Sequence, residues 1–535
     1  MRSTAQLAVY IAVLAFGTYQ TFAPGFDSQF TRMQSERGDG MLNHYILEHT
    51  WQCVSNPDYC GSLFSPPCFF PERYTLWYSE HFLGIAPAYW GLRLVLPYDL
   101  AYHWWQILSN ALNFIAFAVV VRWLRGSHIL AILVGYLWAF ALAHIDQIKH
   151  QQMIPRFWMP LAAYYAWSFA LVPATRSLNR MLCFVFLQCI VCVYTGWFLV
   201  LSLGVFLPLA IAVRPGAIKK LWQFVRENRN RVIAIVGGWG GALVVAFVPY
   251  LIINWGMSRT YDECFGLMPT PSAWFTGPPG SRWEQTTAPF RQPVHGESYL
   301  FCGFGVYALL LAASADLLVV RRSNRSDELS LAAAGLLTAV ICALATMTPF
   351  DAGPSLWKYV RHIPGGGAIR CVTRVYVVVY LSGLLSSIVW LNAITVHLRP
   401  WIRTMILGPI AAVLIFEQTG YDPPSFEKTD FYTIADQVAV QLQGADAGYV
   451  VPVFTDTKGH VSIGVYGDVM GMWAGMRANV PIVNGYSGRW PPGNYPYAEI
   501  ATDDMLRAWL NGRFHGKLAI VDPDHPEALR VIWIE

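Results

Sequence analysis

The residues whose types and spacing could do chemistry fall into separate sets. Asp39 stands between Gly38 and Gly40, ahead of the helix-like run Met41, Leu42, Tyr45, Ile46 and His49. A carboxylate flanked by glycines can be approached closely and can act as a general base toward a hydroxyl, although the same residues also build ordinary turns before an interfacial helix. His144, Asp146, His150 and Gln152 crowd a second short segment. On a helix Asp146 and His150 would share a face, and with Asp39 they could hold a divalent cation or act as a polar cap at a membrane surface. No HExxH motif occurs, and the CxxC spacing of Cys189 and Cys192 falls inside an apolar segment, where the thiols read as packing residues, so a closed zinc site has no support. The third set is Lys358, Arg361, Arg370 and Arg374, with Gly365-Gly366-Gly367 before the last two. Guanidiniums four residues apart beside a glycine backbone suit an anion such as a phosphate, and arginines snorkelling onto phospholipid headgroups are the alternative.

These residues must be positioned by a membrane-embedded chain. Of 535 residues, 55% are hydrophobic and only 13% charged, with 22 Trp. The mean hydropathy is +0.37. Such a composition indicates a polytopic membrane protein. Neither an acidic nor a basic tail is present, and nothing suggests nucleic-acid binding. Apolar segments at 7–22, 104–121, 128–142, 157–171, 232–253, 299–319, 331–347, 375–391 and 404–416 read as spans. The first, preceded only by Arg2, reads as a retained helix rather than a cleaved signal. Residues 181–213 are too long for one helix and divide into two spans at a tight turn over 194–197, which brings the total to about eleven.

Lys and Arg collect in alternate loops, at Arg122 and Arg125, Arg176 and Arg180, six positions between Arg214 and Arg231, then Arg321, Arg322 and Arg325, and finally Arg399 and Arg403. That pattern places the N-terminus in the cytoplasm and the C-terminal part outside. The loop carrying Arg370 and Arg374 then lies outside, against the usual bias, so its cations call for an anion. The expected organisation is a transmembrane bundle over 1–416, with a long first outer loop at 25–103, and a small extracytoplasmic α/β domain over 417–535. In that domain 449–453, 480–483 and 518–521 look like strands, and 433–442 and 503–510 like helices. The turn residues Asn56-Pro57-Asp58 make a Cys53 to Cys60 disulfide an expectation for the first outer loop.

Several stretches together resemble a known group. Gly38-Asp39-Gly40 with Ile46-Leu47-Glu48, then Phe70-Pro71 and Tyr78-Ser79-Glu80-His81 with Leu83-Gly84, resemble the first loop of a large group of bacterial multi-spanning proteins. The match continues through His150 and Gln152 with Trp158 and Pro160-Leu161, Tyr194, Pro364-Gly365 with Ile369-Arg370 and Arg374, and Asn484-Gly485-Tyr486-Ser487-Gly488 with Pro491-Pro492. That group is similar in layout to the GT-C glycosyltransferases, the superfamily of protein O-mannosyltransferases and aminoarabinose transferases. The resemblance implies a GT-C-like protein of the bacterial inner membrane that moves a sugar from a polyprenyl phosphate carrier to an extracytoplasmic acceptor. It implies Asp39 as the base, Arg370 and Arg374 as the carrier-phosphate site, and His150, Gln152, Glu80, His81 and Tyr194 as further substrate contacts. Thr373 and Cys371 depart mildly from the group's pattern. No cofactor is implied beyond the divalent cation considered above, and the expected partners are the lipid-linked sugar and membrane lipid. The rival reading is a non-catalytic accessory or scaffold subunit of a larger membrane complex; a transporter fits less well, because no internal symmetry is visible.

Overall fold

The computed structural model describes residues 2–291, 297–319, 326–349, 354–455, 461–496, 500–525 and 528–535. A helix forms at every apolar segment marked above: Arg2–Asp27, Tyr98–Trp123, His128–Phe140, Trp158–Leu171, Thr175–Val191, Val193–Ala212, Arg229–Ile253, Phe304–Ser314, Asp327–Thr346, Tyr376–Thr395 and Pro400–Glu417. Among the described residues, 8 helical segments are long and apolar enough to cross a membrane, and Phe304–Val319 is a shorter apolar one. Trp158–Leu171 and Thr175–Val191 are also short, and they pack inside the bundle. Arg321, Arg322 and Arg325 lie outside the described residues.

The break inside 181–213 falls at Cys192, which is extended (φ −153°, ψ 119°). Tyr194 therefore sits in the first turn of the helix Val193–Ala212, not in the turn between helices. Close approach there depends on Gly196, where a Cβ would come 2.5 Å from Cys189 Cα.

The long loop over residues 25–103 is more ordered than the sequence suggests. It contains the 19-residue helix Arg37–Ser55, which takes in Gly38-Asp39-Gly40 as its first turn. That helix does not lie on the membrane surface: Gly38 and every residue from Gly40 to Thr50 are buried. The C-terminal part encloses it. Helix Val465–Ala478 packs along it, with Trp473 Nε1 donating to the Met41 carbonyl at 3.1 Å. The strand Arg32–Gln34 pairs antiparallel with Ser425–Glu427, Met33 opposite Phe426.

The remainder of the C-terminal part is the small α/β unit the sequence predicts. Strands Ala447–Val450 and Gly516–Val521 pair in parallel, Tyr449 opposite Ile520, and Arg530–Ile534 adds an antiparallel edge. Val453–Thr455 and Val461–Ile463 form a separate ribbon. Of the expected strand at 480–483, only an isolated bridge from Ile482 to Gly448 forms. Helices Thr429–Leu442 and Asp503–Leu510 cover the sheet. The expected Cys53 to Cys60 disulfide is absent, both thiols being free. Cys53 Sγ lies 3.7 Å from His49 Nε2, and the backbone of Cys60 is tied to Asn479 Oδ1 at 2.7 Å.

Candidate functional site

Asp39 reaches its place through the start of a helix. Glu36 takes the N-cap position in an extended conformation (φ −99°, ψ 159°), so Asp39 falls in the first turn, where exposed backbone N–H groups favour a negative charge. Of the two neighbouring glycines, Gly40 is required by packing and Gly38 is not. A Cβ on Gly40 would come 2.5 Å from Ser35 Oγ, whereas one on Gly38 would meet Tyr466 at an ordinary 3.4 Å.

The Asp39 carboxylate begins a chain of alternating charges. His150 Nδ1 lies 2.7 Å from Asp39 Oδ2, and His150 Nε2 lies 3.1 Å from Glu297 Oε1. Glu297 accepts two hydrogen bonds from Arg374, Nε to Oε2 and Nη2 to Oε1, each 3.2 Å, and one from Cys371 Sγ at 3.1 Å. From the C-terminal part, the Tyr486 hydroxyl donates to Asp39 Oδ1 at 3.1 Å. Glu297 and Arg374 are buried, while the Asp39 side chain keeps 19% of its surface and so remains reachable.

The charges set one another. Burial alone would raise the Asp39 pKa, but the hydrogen bond and charge of His150, the charge of Arg374 and the Tyr486 hydroxyl hold it below the usual carboxylate range. Burial works against Glu297 in the same way, and Arg374 and His150 overcome it, so that its carboxyl lies well below the ordinary value. For His150 burial favours the neutral ring; the charge of Glu297 and the hydrogen bond to Asp39 outweigh it and raise the pKa to about 9. At neutral pH the ring is thus an imidazolium donating to a carboxylate on each side.

The other expected residues are placed as follows. Gln152 Oε1 accepts from Asn43 Nδ2 at 2.8 Å, and Asn43 is one turn along the helix from Asp39. Tyr194 lies under the Arg374 guanidinium, 4.5 Å from its carbon to the ring centre, and its hydroxyl accepts from the Arg370 backbone N–H at 3.3 Å. Glu80 is set back from Asp39. Its carboxylate caps the buried start of helix Val193–Ala212, accepting from Val193 N at 2.8 Å and Tyr194 N at 3.3 Å, and so fixes Tyr194. His81 accepts from Leu83 N at 2.9 Å and packs against Trp77 and Tyr250. Arg370 is exposed, whereas Arg374 is buried and already paired with Glu297.

Asp146 does not join Asp39. The segment after residue 146 continues as short 3-10 turns, and Asp146 instead meets Lys149 Nζ at 3.5 Å and accepts from the Tyr421 hydroxyl at 3.1 Å. The carboxylate that does lie near is Glu36: one ligand atom each from Glu36, Asp39 and His150 fall within 4.8 Å of one another. These could receive a divalent cation only after His150 releases a proton it holds up to about pH 9. Glu36 and Glu297 were not singled out by sequence reasoning, and Tyr486 figured there only as part of a longer motif.

No protein-family model matches the chain, and no curated protein does. Among solved structures, the crystal structure of ArnT from Cupriavidus metallidurans in the apo state is similar over 97% of this chain and 94% of that chain, with 11% sequence identity and a TM-score of 0.41.

Proposed function

We propose that the protein is a membrane glycosyltransferase that moves a sugar from a polyprenyl phosphate carrier to an acceptor hydroxyl outside the cytoplasm. The observation that carries this reading is a reachable carboxylate kept ionised by a protonated histidine, with the guanidinium of Arg374 behind it. The sequence motifs spread along the chain support the same assignment.

In the proposed reaction the acceptor oxygen attacks the anomeric carbon from the Asp39 side while Asp39 takes its proton. The bond from that carbon to the phosphate oxygen breaks with inversion, and the phosphate leaves with both bonding electrons. A base needs only to be ionised at working pH, so the depressed pKa of Asp39 is compatible with the role. Exposed Arg370 is the group available to meet the leaving phosphate. Buried Arg374, already shared with Glu297, contributes its field rather than a first contact. His150 orients Asp39 and keeps it anionic.

The test is release of free polyprenyl phosphate from a mixed pool of polyprenyl phosphate sugars, with membrane extract supplying acceptors. Asp39→Asn keeps the shape of the side chain and is expected to lower release by about 10²-fold or more, the usual contribution of a general base. Release at the wild-type rate from that variant would overturn the assignment of Asp39. A second reading, an accessory subunit, is favoured by one observation: the charges of Asp39, His150, Glu297 and Arg374 compensate one another within the chain. On that reading neither protein releases carrier, and the chain co-purifies stoichiometrically with other subunits.

A further inference from the structure

At the end of the bundle away from Asp39 the chain builds a cleft that the chemistry above does not use. Helix Val193–Ala212 carries Tyr194 of the site at its start, and 20 residues at the helical rise place its other end about 30 Å away. There Phe169, Leu207, Ile211 and Leu221 wall a cavity of ≈ 110 Å³, with Arg214, Lys220 and Asp327 as its charged lining residues.

The two cations differ in what holds them. Arg214 is buried and anchored: Nε donates to the Ala210 carbonyl at 3.1 Å, Nη2 donates to the Ala170 carbonyl, and Nη1 lies 3.5 Å from the largely exposed Asp327 carboxylate. Lys220 is exposed, and its ammonium has no partner among the described residues.

The covering helix, Ala217–Glu227, has the character of one that lies in a membrane surface. It buries Ala217 and Phe224 against the bundle and leaves Ile218 60% and Trp222 70% exposed, one turn apart on the same face. Lys219, Lys220 and Arg226 flank that ridge, and over residues 214–231 the sequence has Arg214, Lys219, Lys220, Arg226, Arg229 and Arg231 against the single acid Glu227. An apolar ridge with Trp, edged by cations, suits the boundary between headgroups and acyl chains.

We propose that this cleft binds an anionic phospholipid of the adjoining leaflet. Its phosphate lies on Lys220 at the rim, within the field of Arg214, and the upper part of an acyl chain enters between Leu207, Ile211 and Leu221. A free phosphate would need the cations alone; the apolar walls and the exposed Trp222 ridge give the site to a lipid. The proposal does not depend on the reaction assigned to Asp39.

The experiment is native mass spectrometry of the full chain released from bilayer discs containing equal phosphatidylglycerol and phosphatidylcholine. Wild type should retain phosphatidylglycerol in preference. Lys220→Gln should lower that occupancy about fivefold, the effect of roughly 1 kcal/mol for one cation at an anionic surface. Lys219→Gln, which removes a neighbouring charge that does not line the cleft, should lower it clearly less. Ile211→Trp, which fills the cavity with every charge intact, should also displace the lipid. The proposal is overturned if wild type shows no preference, if Lys219→Gln and Lys220→Gln lose lipid equally, or if Ile211→Trp retains it.

Discussion

At the scale of single residues, the site is governed by a proton that His150 keeps and two carboxylates that lose theirs easily. Because the folded His150 pKa of about 9 lies above the ordinary value of 6.5, its stabilising contribution is complete below about pH 6.5 and is lost as the pH rises through 9. Asp39 and Glu297 are shifted the other way, so their contributions are complete above the ordinary carboxylate range and fade as the pH falls through their depressed values. The detergent-purified protein should therefore melt at the highest temperature near pH 5 to 6.5 and lose stability between about pH 7 and 9, by at most about 3 kcal/mol. Tryptophan fluorescence during heating would follow this, and His150→Gln should flatten the alkaline limb. An alkaline limb of unchanged slope in that variant would assign the loss to another group. The same pairing explains why Arg374 can sit buried with a full charge: without Glu297 the guanidinium would lack its two hydrogen-bonded oxygens in a site closed to water.

Among the elements, the helix Arg37–Ser55 decides where the base stands. Its first turn fits under Ser35 only because residue 40 has no side chain, so Gly40→Ala should cost about 1–3 kcal/mol through overpacking. Ser35→Gly should restore most of the loss by removing the atoms that clash, and Gly38→Ala should be nearly neutral. Chemical denaturation of the three variants checks this; a loss at residue 38 equal to that at residue 40 would show that the Ser35 contact does not set the requirement, since helix propensity favours Ala over Gly at both positions. The elements differ in how legible they were. The apolar spans were readable because a bilayer requires long runs of one solvent character, and each such run is a helix. The helix Val465–Ala478 was not, because Gly467, Gly471 and Gly475 look like turn signals. They are contact positions instead: a Cβ on Gly467 would come 2.2 Å from the Pro452 carbonyl carbon. Glu297 gave no sequence signal either. It is an isolated carboxylate in a loop, far in sequence from the histidine and arginine it joins, and only the folded chain brings them together.

For the molecule as a whole, the site belongs to both parts of the chain. Asp39, His150, Glu297 and Arg374 come from the bundle, and Tyr486 comes from the part beyond residue 417. The sequence presented that C-terminal part as a domain docked on the outer face, and its helix Val465–Ala478, buried along most of its length, packs on one side against Thr429–Leu442 and on another against Arg37–Ser55. Trp473 donates to Met41 and packs 4.8 Å from the His44 ring, Tyr432 bonds His44 at 2.6 Å, and the strand Ser425–Glu427 pairs with Arg32–Gln34. A fragment of residues 417–535 made alone would expose these groups and lose that strand's partner, so the face of its core that Arg37–Ser55 completes would stand in water. It should show secondary structure by far-UV circular dichroism but neither near-UV aromatic signal nor a cooperative melt. Mixing it with residues 1–416 in detergent should restore the aromatic signal, because the missing surface is then supplied. A cooperative melt of the isolated fragment would mean instead that the C-terminal part folds first and presents Tyr486 to Asp39 as a finished surface.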